Sequence, residues 1–117
     1  MSDALTRAQA QPQAAALAQP GVALSLAQCQ LVRQLVSAVL PAATVKVFGS
    51  RATGHARPYS DLDLLLVNPP YLTWQQRADL RDAFEASELP FRVDLVEAAG
   101  LAPGMAQRVL AEALALP

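Results

Sequence analysis

Apolar side chains recur at intervals of three and four residues in three stretches of the chain, residues 24–40, 73–87 and 105–113. This spacing lines up one face of an α-helix, so the sequence predicts three amphipathic helices. In the first two stretches a serine or threonine is followed three positions later by a glutamine, which is the spacing of a capping box at a helix start. Pro41 ends the first helix, because a proline has no N–H to donate to the helix ladder.

Shorter runs of β-branched, aromatic and aliphatic residues predict three strands, at residues 44–48, 61–67 and 91–96. A polar connection with Gly54 and Pro58 separates the first two strands. We expect an α+β domain in which the three strands share one sheet and the helices cover one face.

The composition is that of one folded domain preceded by a loose segment. The chain has 117 residues, of which 53% are hydrophobic, and this excludes an intrinsically disordered protein. Residues 1–20 are rich in Ala and Gln and show no periodic apolar face. We therefore expect a flexible N-terminal arm over residues 1–20 and a single domain over residues 21–117.

The net charge and the single cysteine argue against some functional classes and cellular locations. The net charge is -1 without a cluster of Lys or Arg, which argues against direct binding to nucleic acid. Cys29 is the single cysteine, so no intramolecular disulfide is possible, and we expect a cytoplasmic protein with Cys29 in the core. We identify no signal peptide, and no apolar run approaches the ~20 residues of a membrane span, so no membrane partner is expected.

Two aspartates at the start of the second predicted strand carry the candidate chemistry. Successive strand residues point to opposite faces, so Asp61 and Asp63 point the same way with their Cα atoms roughly 6.6 Å apart. Two such carboxylates repel each other and lose hydration unless a cation lies between them. The expected cation is a divalent metal with hard oxygen ligands, magnesium above all. Asp94 is a third acid, within the otherwise apolar third strand.

The turn after the first strand is the second candidate element. Gly49 lets the backbone turn sharply and lets a ligand approach closely. Ser50 and the N–H groups after it would form an anion site at the start of a helical turn, which suits phosphate. A phosphate site beside a metal site is the arrangement that a magnesium nucleoside triphosphate requires.

Together these features resemble the minimal nucleotidyltransferase family of the DNA polymerase β superfamily. The resemblance covers roughly residues 44–96 and rests on two segments, Gly49-Ser50-Arg51-Ala52-x-Gly54-x-Ala56-Arg57-Pro58-x-Ser60-Asp61-Leu62-Asp63-Leu64 and Val93-Asp94-Leu95-Val96. It implies the two-layer polymerase β-like fold with a small mixed sheet and helices on one face.

The resemblance also implies roles for individual residues. Asp61, Asp63 and Asp94 would be the catalytic acids that hold two magnesium ions. Gly49 and Ser50 would bind the phosphates of ATP.

Three further residues receive less definite interpretations. Arg51 would either contact the triphosphate or form a salt bridge on the surface, and the sequence leaves both open. His55 is interpreted as an exposed loop residue, with a proton shuttle as the alternative. The sequence indicates no role for Tyr59.

Finally, the resemblance implies an activity and a partner. The protein would transfer AMP from ATP to a tyrosine of a HEPN-type ribonuclease toxin and so act as its antitoxin. A chain of this length is expected to contain the catalytic module and little else, so the acceptor surface would lie on another protein. Two alternatives remain open: an antitoxin that neutralises its toxin by contact alone, and an enzyme that modifies a small molecule such as an antibiotic.

Overall fold

The computed structural model describes residues 21–117, and the arm predicted at residues 1–20 lies outside the described residues. The described part contains, in order, α1 (Leu26–Val39), β1 (Thr44–Phe48), α2 (Ser50–Thr53), β2 (Leu62–Asn68), α3 (Trp74–Glu85), β3 (Val93–Glu97), a 3-10 helix (Ala98–Gly100), α4 (Pro103–Glu112) and β4 (Leu114–Ala115). Each helix and strand predicted from the sequence is present. None of the helices in this part of the chain combines the length and hydropathy needed to cross a membrane.

The two longest helices, α1 and α3, begin where the local sequence places their caps. At α1, Ser25 Oγ accepts a hydrogen bond from Gln28 N, and Gln28 Oε1 accepts one from Ser25 N, both at 3.0 Å. At α3, Thr73 and Gln76 exchange the same pair of bonds, also at 3.0 Å. Each box satisfies backbone N–H groups that a helix start leaves without partners. Both predicted capping boxes are confirmed.

The strands form one mixed sheet in the order β3-β2-β1-β4. Strand β2 is antiparallel to β1 and parallel to β3, and α3 supplies the crossover that the parallel pair requires. The short β4 pairs antiparallel with β1 through Val47↔Leu114 and Lys46↔Ala115. The sequence did not predict β4, because two residues are too few to show the alternation of a strand.

Strand β2 is the centre of the core. Leu62, Leu64 and Leu66 are fully buried on one face, where α1 and α3 pack together, and Cys29 belongs to the same cluster as predicted. Leu65 points to the opposite face and is also fully buried. The apolar part of β2 is therefore covered on both sides, whereas Asp63 near its start is only partly buried. The predicted α+β fold, a small mixed sheet with helices packed on a face, is confirmed.

Candidate active site

The predicted acids lie at one end of the sheet. Asp63 is the second residue of β2 and pairs in parallel register with Asp94, the second residue of β3. On its other side Asp63 pairs with Phe48, the last residue of β1, which directly precedes Gly49. The strand order therefore places Gly49, Asp63 and Asp94 in a row across three neighbouring strands.

Asp61 joins this row through Arg92. The two residues directly precede β2 and β3, and the segments are held together because Leu62 N donates a hydrogen bond to Arg92 O at 2.8 Å. Arg92 Nη2 lies 3.6 Å from Asp61 Oδ2 and 3.7 Å from Asp94 Oδ2. Since a single nitrogen lies within ion-pair distance of both, the carboxylates of Asp61 and Asp94 converge. The Arg92 side chain is largely exposed, so these long ion pairs contribute little to stability in water.

The carboxylate of Asp63 lies in an unfavourable electrostatic environment. Burial raises the pKa of its carboxyl group, and the charges of Asp94, Asp61 and Glu112 raise that pKa further. Within the part of the chain that the structure describes, no group donates a hydrogen bond to this carboxylate. Among the described residues nothing offsets the negative charge of Asp63, and binding of a cation would relieve this repulsion.

The chemistry of the acids fits a divalent ion. Among residues 21–117 no three His, Cys, Asp or Glu side chains are already closed around one point as a metal-ligand group. Asp61, Asp63 and Asp94 nevertheless offer only carboxylate oxygens, the ligands that magnesium prefers, and they carry excess negative charge. Metal binding would require their side chains to close from an arrangement in which Arg92 bridges two of them.

The turn after β1 requires glycine for two reasons. Gly49 has φ 73° and ψ -152°, a backbone conformation that residues with a Cβ avoid. A Cβ at this position would also overlap Asp63 Oδ2. The backbone N–H of Gly49 donates a hydrogen bond to Glu112 Oε2 at 2.8 Å. The turn that was predicted to bind phosphate thus donates the N–H of its Gly49 to a carboxylate.

Glu112 is a candidate functional residue that the sequence analysis missed. It ends α4, where a glutamate on an amphipathic helix looks like any other solvated side chain. Gly49 and Glu112 are 63 positions apart, and the contact exists only because β4 returns the chain to β1. Local spacing therefore contains no signal for it.

Arg51 corrects a prediction. Its side chain is buried, with 4% of the residue exposed, so it is not a surface arginine in a salt bridge. Its guanidinium also lies 4.1 Å from the centre of the Phe91 ring. At 2.6–3.3 Å it donates hydrogen bonds to four main-chain carbonyls, those of Ala23, Arg57, Pro58 and Ser60. A guanidinium bonded to these acceptors holds the loop that leads into Asp61. The alternative of a surface salt bridge is therefore wrong, whereas the triphosphate contact stays a prediction.

A cleft of about 700 Å³ opens beside Asp61 and Asp94. Phe84 and Phe91 contribute buried apolar surface to it, whereas Tyr59 is exposed at its edge. The exposed His55 lies in the loop after α2, with its Nδ1 3.1 Å from Oγ1 of Thr53, the last residue of that helix, which agrees with the interpretation of an exposed loop histidine. The cleft gives a second molecule access to the acids from the β3 side.

In this fold a strand, a turn and a short helix are followed by a strand that begins with alternating acids. A third acid lies on the adjacent parallel strand. This arrangement defines a class of phosphate-transferring domains. The sequence profile of the family described as "Polymerase beta, Nucleotidyltransferase" matches residues 34–116. The chain therefore belongs to this nucleotidyltransferase family.

Two relatives place the chain among the small members of the family. It is 42% identical over 67 residues to the "Probable protein adenylyltransferase MntA" of Haemophilus influenzae, a match covering 57% of this chain and 59% of the relative's length. It is also similar to a solved structure of a minimal nucleotidyltransferase, with 41% identity and a TM-score of 0.56, over 75% of this chain and 95% of that chain. The predicted resemblance to minimal nucleotidyltransferases is confirmed.

Proposed function

We propose that this protein is a magnesium-dependent adenylyltransferase that transfers AMP from ATP to a tyrosine hydroxyl of a HEPN-type ribonuclease toxin and acts as its antitoxin. The observation that carries the proposal is the convergence of Asp61, Asp63 and Asp94 beside the Gly49 turn. The name of the Haemophilus relative supports a protein acceptor. The toxin and the tyrosine come from the family resemblance alone, and the experiments below test them.

The acids have distinct roles in this reaction. Asp61 and Asp63 would hold two magnesium ions, and Asp94 would complete the site of the one next to the attacking hydroxyl. When bound, magnesium would neutralise the charge that develops on the attacking and leaving oxygens. The hydroxyl loses its proton to solvent as its oxygen forms a bond to the α-phosphorus, the bond from that phosphorus to the oxygen shared with the β-phosphate breaks, and pyrophosphate leaves.

The order of residues across the sheet would give the two substrates opposite directions of approach. Gly49 and Ser50 lie on the β1 side of Asp63, so the triphosphate would lie there, and Asp94 lies on the β3 side. The cleft next to Asp94 would admit the acceptor from the opposite side. A tyrosine suits this path because its hydroxyl lies at the end of a long side chain and must come within about 3–3.5 Å of the α-phosphorus.

Mass spectrometry of a defined partner tests the activity. The protein would be incubated with magnesium, ATP and a purified HEPN protein encoded next to it, and intact masses recorded. We expect one or more additions of ~329 Da, the AMP increment that follows from this chemistry, on a tyrosine of the partner. The double variant Asp61→Ala, Asp63→Ala should add no mass, whereas Asp82→Asn, an acid exposed on α3, should behave as the wild type.

Cell growth separates the proposal from its alternatives. Cells that express the partner should be rescued by the wild type and by Asp82→Asn but not by the double variant. Rescue by the double variant would mean that neutralisation occurs by contact alone. If no mass is added to the partner but expression of the wild type confers resistance to an aminoglycoside, the acceptor is a small molecule.

A further inference from the structure

The carboxylate of Glu112 lies on a donor of the proposed nucleotide site. Its Oε2 atom accepts the hydrogen bond of Gly49 N at 2.8 Å, and Gly49 starts the turn that would bind the triphosphate. Asp63 Oδ2 also lies close to Gly49, so near that it would overlap a Cβ at this position. The backbone of Gly49 is therefore flanked by two carboxylates, one accepting its N–H and one packed against its Cα.

Glu112 is held in this position by the chain on both sides of it. Val109, one turn earlier in α4, is buried. Two residues later, Leu114 pairs with Val47 of β1, the strand that runs directly into Gly49. Because the chain is anchored at both points, the fold keeps the backbone of Glu112 within side-chain reach of Gly49 N.

A phosphate oxygen and the Glu112 carboxylate compete for the same N–H. A single N–H makes one good hydrogen bond, so a triphosphate oxygen that takes Gly49 N must displace Glu112 Oε2. The displaced carboxylate is still negatively charged and remains close to the phosphate that replaces it. Its charge already reaches Asp63, whose pKa it helps to raise.

We propose that Glu112 is an internal competitor of the nucleotide, a carboxylate that holds the Gly49 turn when no triphosphate is bound and weakens triphosphate binding when one arrives. This inference rests on the proposed function, because it assumes that the Gly49 turn binds the triphosphate. Pyrophosphate, the leaving product, would meet the same competitor and be released faster.

Binding measurements on Glu112→Gln test this role. Glutamine has the same size and keeps a neutral acceptor for Gly49 N, so the fold should be preserved. We expect the Kd of magnesium ATP and of magnesium pyrophosphate, measured by calorimetry, to fall about three- to tenfold, which is the effect of removing one like charge near contact distance in an exposed site. Adenosine has no phosphate, so any affinity for it should not change.

A matched variant and a kinetic readout separate this role from a structural one. Glu88→Gln removes the same charge from an exposed position in the loop after α3 and should leave all three ligands unaffected. Glu112→Asp keeps the charge but shortens its reach to Gly49 and should give a Kd between those of the wild type and Glu112→Gln. In adenylyl transfer, Glu112→Gln should lower the KM for ATP without raising kcat.

The possible failures are distinguishable. Equal ATP binding by the wild type, Glu112→Gln and Glu112→Asp would overturn this inference but not the proposed function. Glu112 would then only connect α4 to the Gly49 turn. Weaker ATP binding by Glu112→Gln would overturn it too, because Glu112 would then assist the nucleotide or its metal. Failure of every variant and the wild type to bind magnesium ATP would overturn the proposed function and this inference together.

Discussion

Replacing Asp63 by asparagine should stabilise the metal-free protein and remove a carboxylate that we propose as a metal ligand. The Asp63 carboxylate is partly buried, receives no hydrogen bond from a described residue and pairs in register with Asp94. Neighbouring strands lie about 4.8 Å apart, and two like charges at about 5 Å repel by roughly 0.8 kcal/mol in water and about 3 kcal/mol at an effective dielectric constant of 20. The Asp94 side chain is 47% exposed, so the lower part of that range applies.

We therefore expect Asp63→Asn to raise the free energy of unfolding by about 1 kcal/mol, or the melting temperature by about 4–8 °C for a domain of this size. The assay is thermal unfolding followed by circular dichroism at pH 7.5 in EDTA. The control is Asp82→Asn, which removes the same charge from an exposed site on α3 and should change the melting temperature little. Magnesium with ATP should then raise the melting temperature of the wild type more than that of Asp63→Asn.

The stabilising effect of Asp63→Asn should depend on pH in a defined direction. A carboxyl group whose pKa is raised in the folded state lowers stability at pH values above that pKa, and the loss is relieved as the pH falls. In EDTA, the free energy of unfolding of Asp63→Asn should therefore exceed that of the wild type by the full amount at pH 7.5. This difference should disappear as the pH falls toward the ordinary Asp pKa of 3.8, where Asp63 is protonated. A variant no more stable than the wild type in EDTA would refute the argument from repulsion. Equal responses to magnesium ATP would show that Asp63 is not a metal ligand.

Three further substitutions test other contacts. Arg51→Ala should lower the free energy of unfolding by about 3 kcal/mol or more in urea denaturation, because it leaves buried carbonyls unpaired; a loss below 1 kcal/mol would contradict this role. Gly49→Ala should destabilise by about 2 kcal/mol through its positive φ and its overlap with Asp63, whereas Gly104→Ala should not. Glu97→Ala should cost about 1–2 kcal/mol at pH 7, because Leu72 N loses its acceptor. Hydrogen bonds from Leu72 N and Arg77 lower the pKa of Glu97 in the folded state. The stabilisation that Glu97 provides is therefore complete above its ordinary pKa of 4.5 and is lost as the pH falls through the lower folded value. If the difference in unfolding free energy between the wild type and Glu97→Ala were the same at pH 3 as at pH 7, this explanation would be contradicted.

The parts of the structure that could be predicted from sequence are those encoded over short distances. The Ser25–Gln28 box spans three positions, and Asp61 and Asp63 share a face because they are two positions apart in an extended segment. The position of Asp94 could be expected only from the family resemblance, since strand pairing is not visible in local spacing.

The features that the sequence did not predict depend on distant segments. An arginine is rarely buried, and Arg51 is buried only because Ala23, 28 positions earlier, and a loop that folds back both present carbonyl oxygens to it. The Glu112 contact requires β4, which is too short to leave a pattern in the sequence.

The way Arg51 holds the loop before Asp61 has a consequence for how this loop can vary. Every hydrogen bond that its guanidinium makes there goes to a main-chain oxygen, a group that all residue types share. Single substitutions between Gly54 and Ser60 that keep the backbone path should therefore be tolerated, as at the exposed Tyr59. Insertion or deletion of one residue shifts the register of these oxygens and should displace Asp61. In a library of loop variants, length should be constrained far more strictly than side-chain identity.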